Sequence, residues 1–400
     1  CGIPFPSEES AMLKAARRDA KTMSEQIQHA FFDYIVSLGE TSPILIVLED
    51  LQWGDALTIQ LLDMVLREKP DLPLLILAFA RPELSDAYPV LWQGHIQEIS
   101  LRPLNKKVCE RYVEEMLGDQ KLGPDTLSRI VLRSAGNPLF LEELIRAASE
   151  GRADEIPETV LAMLQARLSR LSPEARRILR NASIFGEYFW IGGLEAMMAS
   201  LMSQSVVLQW LDVLVKSEWI ERKRRSQIEN EVEYAFRHAL VRDAAYSLLT
   251  DAERIYGHKQ AFVFFESVGE RDPITLAEHA RQGNEPGRAI EYYTKAAEES
   301  LMRNDLAEAA RRAALGVECG AEGLRKGTLR AFETLSAYGL MDWARADRLG
   351  AEALSLLPRG HRYWYQVADK LLHFLPTTGQ YDRFEQLIAE IDTAEPLPGA

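Results

Sequence analysis

Two adjacent carboxylates, Glu49 and Asp50, follow directly on five aliphatic residues, Ile44 to Leu48, and are followed in turn by Gln52, Trp53 and Asp55. An aliphatic run this continuous reads as a parallel strand covered on both sides, which sets both acids at its C-terminal rim. Burying two carboxylates without partners costs on the order of several kcal/mol. They are therefore either solvated at a strand end, or they hold a hard cation and orient a water molecule. A second apolar run, Leu72 to Ala80, ends at Arg81. A guanidinium at a neighbouring strand tip can reach the same phosphate that the acids would serve through a metal; the plainer reading is a surface arginine at a strand exit. Gly136-Asn137-Pro138 stands before an apolar helical pattern, a place where proline suits the first turn. His238 opens another helix after an expected hairpin, and a lone histidine there is more often structural than ligating. Trp53 either packs beside the acids or enters the core at a helix start.

The elements that must position these groups follow from periodicity. Residues 8 to 38 carry apolar positions at near-helical spacing (Met12, Ala15, Ala16, Met23, Ile27, Phe31, Ile35, Leu38), and 55 to 67 repeat the pattern. With strands at 44 to 48, 72 to 80 and 96 to 101, this predicts an α/β sheet with parallel strands, in which ligands bind beyond the carboxyl ends. After residue 104 helices dominate, at 105 to 118, 124 to 135 and 138 to 150. Residues 157 to 249 mix helices, one of them capped by Ser172 with Pro173 in its first turn, and a two-stranded wing around Trp219 to His238. From Pro273 onward the pattern is all helical, broken at Asn304-Asp305, Gly320, Pro358 to Gly360 and Thr377 to Gly379. Three stretches, beginning near Gly287, Ala331 and Arg362, stack at intervals of about 34 to 40 residues, the tetratricopeptide length. Small residues at helix crossings with aromatics one turn away would let each pair bury its face on the next, offering a surface for a protein or peptide.

The 400 residues are 47% hydrophobic and 26% charged with a formal net charge of -14, enough for two or three domains. No apolar run approaches the roughly 18 to 20 residues of a membrane span, and no secretory signal pattern opens the chain, so a cytoplasmic location is expected. Three distant cysteines, Cys1, Cys109 and Cys319, suit neither a disulfide framework nor a zinc cluster. The acidic balance argues against nucleic acid as a partner, and the short basic run Arg222 to Arg225 reads as a solvated turn.

Four stretches, ILIVLEDLQWGD, LAFARPEL, GNPLFLEELIRA and YAFRHALVRDAAYSLL, resemble the Walker B, sensor arginine, GxP and winged-helix elements of the STAND class of AAA-related P-loop ATPases. The nearest likeness is to the ATPase and tetratricopeptide half of bacterial proteins that fuse this module to a Ser/Thr protein kinase or an adenylate or guanylate cyclase. The resemblance runs over nearly the whole chain. It implies ATP or ADP with Mg²⁺ as cofactors, Glu49 and Asp50 acting at the metal and the attacking water, and Arg81 sensing the γ-phosphate. It also implies Pro138 near adenine, His238 touching the β-phosphate from a lid, and Gln52, Trp53 and Asp55 completing the Walker B surroundings. Glu49-Asp50 inverts the commoner Asp-Glu order, which leaves the division of labour between them open.

No stretch matches G-x-x-x-x-G-K-[ST], the loop whose backbone amides cradle phosphates. The resemblance puts that loop upstream of Cys1, so a fragment is expected that is inactive by itself. The expected order is a partial P-loop core over 1-104, a helical lid with the GxP motif over 105-156, a winged-helix-like domain over 157-255 and tetratricopeptide-like repeats over 256-400. The function implied is a nucleotide-controlled signalling switch with its output domain in cis, outside these residues. The alternatives are an inert interaction scaffold and the ATPase module of a helix-turn-helix transcription regulator.

Overall fold

A computed structural model describes residues 20–88, 91–92, 94–118, 123–149, 159–198, 201–270 and 272–397. The start of the expected first helix (Met12, Ala15 and Ala16) lies outside them. The chain divides into two compact units, residues 1–99 with 290–400, and residues 100–289.

In the first unit, α1 (Ala20–Thr41), β1 (Ile44–Leu48), α2 (Ala56–Glu68), β2 (Leu74–Ala78) and the short α3 (Leu84–Ala87) follow one another. The strands pair in parallel with Ile44 opposite Leu74 and Leu48 opposite Ala78, as a strand, helix, strand unit requires. Ile46, Leu48, Ile76 and Ala78 pack with Leu51, Ile59, Leu62 and Trp92. The opposite face is bare: Leu45, Val47, Leu75 and Leu77 are 60%, 48%, 64% and 45% exposed. That corrects the expectation of a strand covered on both sides. A third strand at 96 to 101 is also absent; the backbone there is irregular and Ile99 and Leu101 are exposed.

Helices also make up the remainder of this unit. They pair as α14 (Pro286–Met302), which begins just before the unit boundary, with α15 (Leu306–Glu318), then α16 (Gly323–Gly339) with α17 (Trp343–Leu356), and α18 (Arg362–Phe374) with α19 (Tyr381–Thr393). The same turn closes the first two pairs: Asn304 and Met341 take left-handed backbone (φ 58 and 60), and Asp305 and Asp342 then cap the next helix by accepting from Glu308 N and Arg345 N. A Cβ on Gly316 would lie 2.9 Å from Leu329 Cδ1 and one on Gly350 3.0 Å from Leu371 Cδ2, so small residues do sit where helices approach. Phe332 meets the edge of Tyr363 with ring centroids 4.8 Å apart.

The second unit opens with α4 (Lys106–Leu117), α5 (Pro124–Ser134) and α6 (Pro138–Ser149) around Cys109, Ile130, Leu141 and Leu144. It continues through α7 (Val160–Ser169), α8 (Pro173–Ala182), β3 (Tyr188–Trp190), α9 (Ile191–Met198), α10 (Gln204–Lys216), β4 (Ile220–Arg222), β5 (Glu233–Phe236), α11 (Ala239–Ser247), α12 (Asp251–Ser267) and α13 (Pro273–Gln282). Ser172 caps α8 through Ala175 N at 3.2 Å, and Pro173 is its first residue. The hairpin expected between Trp219 and His238 is β4 with β5, extended by β3 into a three-stranded antiparallel sheet of order β3-β5-β4.

Candidate functional site

Asp50 is where the backbone leaves β1. Its φ of 50 and ψ of 43 are left-handed, and the chain turns at once into the single 3-10 turn Leu51–Trp53. Aspartate tolerates that conformation better than most side chains. Phe79 N donates to Leu48 O at 2.8 Å and Leu51 N to Phe79 O at 3.0 Å, so the two strand exits stay laced together beyond the regular ladder. Leu51, 3% exposed, anchors the turn in the core.

This lacing gathers three of the sequence-predicted residues. Gln52 Nε2 donates to Asp50 Oδ1 at 2.8 Å, and Arg81 N donates to Gln52 Oε1 at 3.0 Å. One amide thus ties the acid at the tip of β1 to the backbone of the arginine beyond β2. Glu49, Asp50 and Arg81 are all exposed, and among the described residues neither acid has an ion-pair partner. Two solvated carboxylates fit a hard, oxygen-seeking cation that keeps most of its water, as Mg²⁺ does beside phosphates. They do not form a closed cage, since no group of three or more His, Cys, Asp or Glu side chains suited to a metal occurs among the described residues. Glu49 and Asp50 would hold such an ion.

Trp53 is 79% exposed, which removes the reading of it as a core aromatic; the buried tryptophan here is Trp92, whose Nε1 donates to Ile59 O at 3.1 Å. Asp55 is the N-cap of α2, its carboxylate accepting from Thr58 N at 2.8 Å and Thr58 Oγ1 at 2.7 Å. That is helix-capping work.

Pro138 and His238 belong to the second unit. Pro138 is exposed in the first turn of α6, after Asn137, whose side chain accepts from Phe140 N at 3.0 Å. Gly136 has φ +75, and a Cβ there would stand 2.3 Å from Leu104 O, so only glycine fits. His238 is half-buried at the junction of β5 and α11, in extended backbone and without a capping bond.

Two groups of side chains in this unit escaped the sequence reading. One is an open cleft of about 460 Å³ lined by Arg146, Arg167, Arg170, Lys216, Glu218 and Trp219 among others. Its only legible sign was the i, i+3 spacing of Arg167 and Arg170. The other is a histidine pair: His258 Nδ1 and His279 Nδ1 lie 3.0 Å apart, and Tyr246 Oη lies 3.0 Å from His258 Nε2 and donates to Gln282 Oε1 at 3.1 Å. Burial, with Arg281 nearby, pulls His258 down to about 4, and burial with His258 pulls His279 down to about 3.

No family model matches the chain. It is 24% identical over 311 residues to an uncharacterized protein of Rhizobium meliloti (strain 1021), a match covering 74% of this chain and 30% of that protein. The chain therefore spans under a third of the length of that curated relative. Among solved structures it is similar to a Signal Transduction ATPase with Numerous Domains (STAND) protein with a tetratricopeptide repeat sensor from Pyrococcus horikoshii. The sequence identity is 13%, the TM-score 0.40, and the match covers 94% of this chain and 60% of that one.

Proposed function

We propose that the chain is the regulatory part of a nucleotide-controlled switch of the STAND type. An ATP-dependent α/β core acts with a lid in the second unit, and helix pairs offer a surface to a protein partner. The observation that carries this reading is the pair of exposed carboxylates at the C-terminal tip of a parallel strand, without an ion-pair partner among the described residues, one of which, Asp50, is linked through Gln52 to the backbone of Arg81. Open parallel sheets bind ligands at this rim, and acids that can hold Mg²⁺ are what a metal-bound triphosphate needs. Mg²⁺, when bound, would neutralise phosphate charge; Glu49 and Asp50 would hold it and align a water, and Arg81 would contact the γ-phosphate. Pro138 would flank adenine and His238 the β-phosphate, making lid position depend on nucleotide. The output, a kinase, a cyclase or another domain in cis, belongs to the whole protein.

The test is ATP hydrolysis by the full-length protein containing these residues, with Glu49→Gln and Asp50→Asn. A rate lost in either variant supports the reading, and one unchanged in both removes the acids from it. For His238→Ala, faster nucleotide release is expected; an unchanged off-rate leaves that histidine structural.

A second reading is favoured by one observation, the absence of a glycine-rich phosphate loop from these 400 residues. In it the helix pairs act as an inert scaffold. Full-length protein that binds no nucleotide at millimolar concentration would select it.

A further inference from the structure

The connection from β4 to β5, residues 223–232, places a serine directly after an unbroken run of cations: Arg222, Lys223, Arg224, Arg225, then Ser226. Lys223 is taken up by Glu221 at 2.6 Å. Arg222, Arg224 and Arg225 are exposed, and among the described residues none of them has an ion-pair partner. The acids of the hairpin are engaged elsewhere: Glu231 accepts from Gly192 N at 3.0 Å, and Glu233, 3% exposed, accepts from Gln227 N at 2.7 Å. Because Glu221, Glu229, Glu231 and Glu233 stand so near, the hairpin offers no net field to a long polyanion. It offers individual guanidinium groups leading to one hydroxyl, a pattern read side chain by side chain by a partner that draws the segment out straight.

The backbone permits that. Lys223 N donates to Glu233 O at 2.9 Å, and the next tie is the one from Gln227 N to the Glu233 carboxylate. Between them, among the described residues, no backbone group of residues 224–226 is bonded to another backbone group. The hydrogen bond that has to yield is that from Ile228 N to Ser226 Oγ, 3.2 Å long. It uses the Ser226 oxygen as an acceptor and leaves the hydroxyl proton to be taken.

We propose that Ser226 is a phosphorylation site for a Ser/Thr kinase whose substrate groove is lined with carboxylates. Arg224 and Arg225, with Arg222 further back, would pair with those carboxylates. Ser226 Oγ attacks the γ-phosphorus of ATP, and the Oγ–P bond forms as the bond to the β-γ bridging oxygen breaks. The hydroxyl proton passes to the catalytic carboxylate of the kinase, and ADP leaves with the bonding pair. The phosphoserine carries a charge of about -1.5 to -2, one residue from the N–H that Glu233 holds. It competes for that N–H and repels the buried carboxylate, so modification loosens the loop from the start of β5. Ser226 lies in the other unit from Glu49 and Asp50, and this role stands apart from the strand tip.

The experiment incubates the full-length protein containing these residues with ATP, Mg²⁺ and an arginine-directed Ser/Thr kinase, and maps phosphate by peptide mass spectrometry. Within these residues one phosphate is expected, at Ser226, and none in Ser226→Ala. Thr328 is the internal control. Arg325 and Lys326 stand three and two residues ahead of it, but it lies within α16, its hydroxyl donates to Leu324 O at 3.0 Å and Lys326 is paired with Glu352 at 2.7 Å; it should stay unmodified. Arg224→Glu with Arg225→Glu, both at exposed positions, should slow incorporation at Ser226 by about tenfold or more with circular dichroism unchanged. The milder Arg224→Gln with Arg225→Gln should slow it less. Amide hydrogen exchange over residues 226–232 should quicken severalfold in the phosphorylated protein. The proposal is overturned if Ser226 takes up no phosphate, if Thr328 is modified in its place, or if the charge-reversed variant is modified at the parent rate. It also falls if an acid-directed kinase modifies Ser226 as fast, and unchanged exchange after full modification removes the loosening of the loop.

Discussion

The strand tip and the helix pairs treat their carboxylates in opposite ways. In α16, Glu333 is 3% exposed and is held by Arg330 at 2.5 Å and Arg345 at 3.4 Å, and Arg330 also reaches Glu352 at 2.8 Å. At the end of β1, Glu49 and Asp50 are exposed, and among the described residues neither has an ion-pair partner. A carboxylate taken into the interior must bring its counter-charges, because its desolvation is otherwise uncompensated. One left at a rim keeps its water and is available to something else. The contrast separates acids that hold the fold from acids free to do chemistry, and it extends to the second unit, where His258 and His279 are buried against each other.

At neutral pH the largest effect is expected where the buried acid is removed. Glu333→Leu strands Arg330 and Arg345; since both are partly exposed and Arg330 keeps Glu352, a loss of about 2 to 3 kcal/mol is expected, read as a lower urea midpoint. A change below 0.5 kcal/mol would put Glu333 with the rim acids and erase the distinction.

The histidine pair comes next. Its folded-state pKa values, about 4 and about 3, lie below the unfolded value near 6.5. The unfolded chain therefore takes up protons first as pH falls, and the stability these rings contribute is present above about pH 6.5 and lost as pH drops toward 4. At pH 5 the loss is on the order of 2 kcal/mol for each ring. Urea midpoints at pH 7.5 and 5, compared with those of a His258→Leu, His279→Leu double variant, check this: the variant should lose much of the parent's pH dependence.

Smaller again is the bare face of β1 and β2. Leu75→Lys or Leu77→Lys should alter stability by under about 0.5 kcal/mol while reducing concentration-dependent association in sedimentation velocity. A larger destabilisation would mean these side chains are covered in solution. The smallest effect is expected at the rim, where Glu49→Gln and Asp50→Asn should leave the melting temperature within about a degree, whatever they do to turnover.

Much of this arrangement could be read before folding. The aliphatic runs at 44 to 48 and 72 to 80, the cap at Ser172 and the breaks at Asn304-Asp305 are local signals, and the elements follow them. Ile96 to Leu101 has strand-like composition but forms no ladder, because pairing needs an edge supplied from elsewhere and composition does not report one. The same limit hid β3, three residues that become a strand only beside β5. Trp53 was ambiguous since a tryptophan at a helix start suits core or surface equally well. At the rim, acids and arginine were legible by type and position, but the Gln52 bridge between them was not. The cleft was least legible, because its lining side chains come from α6, the end of α7 and the end of α10, far apart in the sequence.

Gly136 has a further consequence through the bond from Leu104 N to its carbonyl, 2.8 Å long. It fastens the segment entering the second unit to the end of α5, just past the exposed residues 94 to 103. A protease should nick the chain within that exposed stretch and stall at Leu104, so the stable digestion product would carry a new amino terminus a few residues ahead of it. Gly136→Ala, by forcing the two backbones apart, should let trimming proceed into α4.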